Sequence, residues 1–118
     1  MPMSFDDVCA LGLALPGVEV GASYGTPALK VRGKLLCRLK EDRITVVVPI
    51  SFDEREMLME AEPKTFFITD HYRAWPMMLV RLATVDQGTL RRLLVQHWRT
   101  VAPKTLVTAW DAKNGQPG

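Results

Sequence analysis

Little in this chain announces a chemistry. Its 118 residues include two cysteines and two histidines, and neither pair has the spacing of a metal site or a redox motif. Cys9 and Cys37 lie among apolar neighbours, which predicts small, buried thiols in a reducing compartment. His71 and His97 are far apart, so no metal and no cofactor are expected. No apolar run approaches the ~18 residues of a membrane span, and the N-terminus carries Asp6 and Asp7 where a secretory leader would be basic. These absences predict a cytoplasmic protein that does not enter a membrane. The glycines at 17, 21, 25 and 33 are scattered, so no phosphate-cradling loop forms, and no helix-turn-helix, zinc-finger or RNP pattern is present.

Charge is also short in total, with 15 basic against 13 acidic residues giving a net +2. Its placement says more. From Lys30 to Arg43 there are six basic and two acidic residues, whereas Asp53 to Glu62 holds five acidic and one basic. Such polarity suits an anionic partner at the basic end, head-to-tail self-association, or contact with an acidic protein.

What the chain does have is period. Ser4 before Phe5-Asp6-Asp7 reads as an N-cap, starting a helix that carries Phe5, Val8, Cys9, Leu11 and Leu15 inward and stops at Pro16-Gly17. A weak strand from Val18 to Tyr24 leads through Gly25-Thr26-Pro27 into two alternating strands joined at Gly33. Strict alternation puts Leu29, Val31, Leu35, Cys37 and Leu39 on one face. Lys30, Arg32, Lys34, Arg38 and Lys40 then share the other. Ile44 to Val48 is β-branched and predicts a central strand. Asp53 caps a short helix to about Glu62, with Met57, Leu58 and Ala61 inward. Strands follow at Thr65 to Thr69 and Met77 to Thr84, the second with Met78, Val80 and Leu82 opposite Arg81. Asp86 opens a final helix with Leu90, Leu93, Leu94, Trp98 and Val101 on its stripe, ending near Pro103. One domain over 1–110 is expected, followed by a flexible polar tail over 111–118. The fold class predicted is a two-layer α/β sandwich in which helices cover one face of a twisted antiparallel sheet.

The densest polar constellation is Asp70-His71-Tyr72-Arg73 with Trp75 close behind. It holds acid, base and donor types, yet no nucleophile can be paired with a base, so no catalytic residue is assigned. Structurally, Asp70 suits a turn, Tyr72 and Trp75 suit half-buried rings, and Arg73 suits an acidic neighbour.

The order Tyr24-Gly25-Thr26-Pro27-Ala28, the basic hairpin, Phe66-Phe67-Ile68-Thr69-Asp70-His71-Tyr72 running into Val80-Arg81-Leu82, and Trp98 before Val101-Ala102-Pro103-Lys104 resembles the MmcQ/YjbR family of small bacterial proteins. The resemblance covers almost the whole chain. It implies a frataxin-like or CyaY-like topology with one open sheet face, and a DNA-binding role. Ala74 before Trp75 departs from relatives that carry a second aromatic there, so a pocket at that place would differ in shape. The expected function is therefore weak, salt-sensitive contact with a nucleic-acid backbone through Lys30, Arg32, Lys34, Arg38, Lys40 and Arg81. Tyr24, His71, Tyr72, Arg73 and Trp75 are expected to bind a ligand or stack on a base. The alternative is a protein-interaction or small-molecule-binding module with a pocket near Tyr24, Tyr72 and Trp75.

Overall fold

A computed structural model describes residues 2–114. The sheet has six strands in the order β1-β2-β3-β4-β6-β5, and every neighbouring pair is antiparallel. The strands are β1 (Val18–Ser23), β2 (Thr26–Val31), β3 (Lys34–Leu39), β4 (Thr45–Pro49), β5 (Phe66–Phe67) and β6 (Met77–Arg81). Helices α1 (Phe5–Leu13), α2 (Phe52–Ala61), α3 (Gln87–Val101) and α4 (Lys104–Asn114) complete the fold, with a short 3-10 turn at Asp70–Tyr72.

Helix α1 begins where its capping chemistry dictates. Ser4 Oγ accepts from the Asp7 amide at 3.2 Å and the Asp7 carboxylate accepts from the Ser4 amide at 2.9 Å. Asp86 caps α3 by accepting from the Thr89 amide at 2.9 Å. The apolar stripe of α3, Leu90, Leu93, Leu94 and Trp98, is buried against Leu29, Leu36, Cys37, Val46, Val48, Met78 and Val80 from the sheet. Trp98 is fully enclosed, and its indole Nε1 donates to the Pro16 carbonyl at 2.9 Å, joining the end of α3 to the turn after α1. This two-layer core carries most of the apolar burial, at roughly 25 cal/mol per Å² removed from water.

Three expectations are corrected. Strict alternation fails in β3, where the register slips between Leu29 and Lys30: Cys37 pairs with Leu29, but Leu35 pairs with Lys30. Leu36 is the extra residue of a β-bulge, so Leu36 and Cys37 both enter the core and Leu35 joins the outer face. In α2 the cap is Ser51, whose Oγ accepts from the Glu54 amide at 3.2 Å, and not Asp53; the buried side chain is Arg55 and Leu58 and Met59 pack on the core, whereas Met57 is 70% exposed and Ala61 also faces out. The chain beyond Pro103 is helical through Asn114, and Trp110 of α4 stacks edge-on against Trp98 at 5.3 Å. Residues 111–114 of the expected tail therefore belong to a helix, and Asp111 accepts two hydrogen bonds from Arg99. Residues 115–118 lie outside the described residues.

Candidate functional site

The sheet face away from the helices is only partly open. The segment after β5 folds back over it, and Tyr72 packs on Val47 and Leu79 as a second, smaller apolar cluster bordered by Phe67, Ile68 and Met77. That cover changes the fate of the basic residues. Arg38 points to the outer face as expected but is 6% exposed. Its Nη2 donates to Tyr72 Oη at 2.9 Å, and its Nη1 reaches Thr26 Oγ1 at 3.2 Å and Glu41 Oε2 at 3.2 Å. The guanidinium is thus committed to protein acceptors on three sides.

The other cations separate as well. Lys34 pairs with Val31, whose side chain is in the helix-side core, so the bulge sends Lys34 out on the side opposite Arg38. Arg32 lies in the turn itself, with φ of 52°, and is exposed. Lys30 is half-buried on the outer face, its stem beside Gly21. Arg81 does share that face, opposite Thr45, but lies over the Phe67 ring at 3.9 Å and donates to the Lys64 carbonyl at 3.1 Å. Lys40 is half-buried beside Arg38. A continuous cationic sheet face does not form.

A concavity of about 590 Å³ forms instead between the β1–β2 turn, the middle of β3 and the 69–77 segment. Leu35, Val47 and Met77 give it an apolar floor, and Arg38, Lys40, Glu41, His71 and Tyr72 supply polar groups. Tyr24 and Trp75 stand at its rim, 86% and 59% exposed. The Arg38 guanidinium lies 5.2 Å from the Tyr24 ring centroid, and the His71 ring meets Tyr72 edge-on at 4.9 Å. Tyr72 is 8% exposed, so its ring belongs to the wall and is not a platform for a base. Arg73 is absent from the lining and pairs with Asp70 at 2.8 Å in the open.

The electrostatics favour acceptors. Because Tyr72 Oη already accepts from Arg38, its own proton is left to donate. Lys40 adds an ammonium and His71 an imidazole beside it. Glu41 is the one carboxylate among the lining residues, and its carboxyl is held below its ordinary value by its own backbone amide first and by Arg38 as well. His97 stands apart on α3, half-buried, where burial lowers its basicity. Among the described residues, no three His, Cys, Asp or Glu side chains gather as metal ligands would, and no helix is long and apolar enough to cross a membrane.

A larger groove, of about 780 Å³, runs between α3 and α4 past Arg91, Arg92, Arg99 and Trp110. Two of its guanidiniums are already engaged, Arg92 with Glu54 and Arg99 with Asp111. Arg91 at its edge is exposed.

Arg55 escaped sequence reasoning. It is 4% exposed, lies 4.8 Å over the Phe52 ring, and donates to four carbonyls of the pocket wall. Its isolation as the lone base of an acidic helix was the available signal.

The comparisons with known proteins agree on kinship. Uncharacterized proteins of Mycobacterium bovis and of two Mycobacterium tuberculosis strains are 40% identical to this chain over 58 residues. That match covers 49% of this chain and 45% of each relative, less than half of their length. The crystal structure of Deinococcus radiodurans protein DR2400, a DUF419 domain, superposes with a TM-score of 0.71 over 97% of this chain and 89% of that one, at 20% identity, which shows the shared fold. The YjbR family model matches residues 13–100, spanning the sheet, the pocket and most of α3, and the chain belongs to the YjbR family.

Proposed function

We propose that this protein is a cytoplasmic binding module, not an enzyme, whose outer-face pocket takes a small anionic ligand with a flat apolar body. The observation that carries this reading is the donor bias of the pocket. The Tyr72 hydroxyl proton, Lys40 and His71 converge on an apolar floor, while a single carboxylate opposes them. The volume lies within the roughly 300–1,000 Å³ usual for small-molecule sites. Tyr24 and Trp75 supply ring faces at the rim, where stacking on a flat ligand is worth about 1 kcal/mol beyond burial.

Anilinonaphthalene sulfonate, an aromatic anion, is a direct probe. Saturable micromolar binding by the wild type, weakened about tenfold or more in Trp75→Ala with little change in melting temperature, is the expected result. Equal affinity in the variant would place the dye elsewhere and remove the support for this pocket.

Nucleic-acid contact is the second reading, favoured by the exposed Trp75 and Tyr24 beside Lys40. An unpaired nucleotide is itself a flat body bearing an anion. Lys30, Arg32 and Arg81 would then meet neighbouring phosphates, with Arg38 excluded by its burial. With about three phosphates neutralised, log affinity for a single-stranded oligonucleotide should fall with log salt at a slope of roughly 2. Fluorescence anisotropy measures it, and no binding at low salt would reject this second reading.

A further inference from the structure

The pocket wall from Asp70 to Met77 holds one 3-10 turn, Asp70–Tyr72, and is irregular from Arg73 to Pro76, yet it presents Trp75 and Tyr72 to the pocket. Its own backbone hydrogen bonds are few and short in range: Tyr72 to Thr69, Arg73 to Asp70, Trp75 to Tyr72 and Met77 to Trp75. Ile50 donates to the Pro76 carbonyl at 2.9 Å and Met77 pairs with Pro49 at the end of the wall, but the backbone of its middle is tied to the rest of the molecule by one side chain from α2. The Arg55 Nη1 reaches the carbonyls of Trp75 at 2.8 Å, Met77 at 3.1 Å and Tyr72 at 3.2 Å, and its Nη2 reaches that of Arg73 at 3.2 Å. The guanidinium is buried, stacked on Phe52, and its one carboxylate neighbour among the described residues is Glu56, at 3.3 Å from Nε.

The arrangement is asymmetric in a telling way. A buried cation would ordinarily be matched by a buried carboxylate, but here the matching charge is distributed over backbone carbonyl dipoles of a single loop. Those carbonyls come from four residues within a six-residue stretch, so satisfying the guanidinium fixes the curvature of that stretch. Only a planar fork with several N–H donors can do this, and a lysine ammonium in the same place cannot span the set. The opposite side of Tyr72 is held by Arg38 from β3. The wall is thus gripped from the helix layer through its backbone and from the sheet through a phenol.

We infer that Arg55 is a positioning residue for the pocket, holding the 70–77 wall in the shape that presents Trp75 and the Tyr72 hydroxyl to a ligand. The ligand-binding half of this inference rests on the pocket reading above; the wall-holding half stands without it.

The test is Arg55→Lys in the full chain, followed by hydrogen exchange and by titration with anilinonaphthalene sulfonate. The amides of Tyr72, Arg73, Trp75 and Met77 should exchange about tenfold faster, with those of Val46 to Val48 unchanged, and dye affinity should fall about tenfold. Unchanged exchange in the wall of a folded variant would overturn the inference. Faster wall exchange with no dye binding even by the wild type would leave the clamp standing and sink the pocket reading instead. Should the variant fail to fold, nuclear magnetic resonance of the wild-type Arg55 guanidinium decides the matter. Slowly exchanging, separately resolved Nη protons support the clamp, and averaging like that of the exposed Arg91 would overturn it.

Discussion

Strand β2 is bounded at its two ends by turns of the same geometry that carry very different side chains. At one end Tyr24 and Gly25 have φ of 53° and 79°; at the other Arg32 and Gly33 have φ of 52° and 82°. Both are two-residue hairpin loops, closed by the Ser23–Thr26 and Val31–Lys34 pairs, with positive φ at both central positions. Type I′ turns of this kind favour Asn-Gly, and a bulky first residue in the left-handed region costs on the order of 1 kcal/mol. Arg32 occupies that position in open solvent. Tyr24 occupies it at the rim of the pocket, where the turn sets its ring 5.2 Å from the Arg38 guanidinium. The same strain therefore has a local use at one end, delivering an exposed aromatic to a pocket, and none is visible at the other.

The sharpest break in that comparison would come from the residue beneath Tyr24. Arg38→Met removes the buried donor shared by Tyr72, Thr26 and Glu41, and should cost about 2 kcal/mol in urea unfolding, discounted for the exposed Glu41. A loss within about 0.5 kcal/mol would mean that Arg38 behaves as a surface cation after all. Tyr24→Asn should instead raise stability by about 0.5–1 kcal/mol while abolishing dye binding, because it relieves the turn and removes the ring. Arg32→Asn is its counterpart at the far end of β2. It should give a similar gain with no change in dye affinity, so equal loss of binding in both variants would dissolve the distinction between the two turns.

Much of the fold was legible because its signals are long and regular. The stripe of α3, the capped start of α1, the β-branched run of β4 and the alternation of β6 each repeat one period over several residues, and all appear as read. Alternation misled only where the chain inserts Leu36, since a bulge changes every parity N-terminal to it without changing composition. The sequence places a stop at Pro103, yet proline beside a helix start is equally well placed, and α4 follows it directly. In α2, sequence favoured Met57 over a charged residue for the inner face. Arg55 goes inward because the loop beyond β5 offers it carbonyls, a fact of tertiary placement that no local period encodes. Tyr24, Tyr72 and Trp75, which the sequence offers as an alternative site, line one concavity. The open basic face failed for the same reason that the pocket exists, because the wall covering the sheet buries Arg38 and Tyr72 together.

The two thiols give the molecule a built-in clock. Cys37 is wholly buried in β3 beneath α3, and desolvation pushes its thiol up to about 12, leaving almost no thiolate at neutral pH. Cys9, on α1, is only half-buried, and desolvation raises its thiol as well. An alkylating reagent therefore meets two barriers of different height on one chain: the loosening of a single capped helix, and the parting of the helix layer from the sheet. Labelling at Cys37 waits on the opening of the helix layer over β3, so the rate at which that layer opens can be followed in wild-type protein without denaturant.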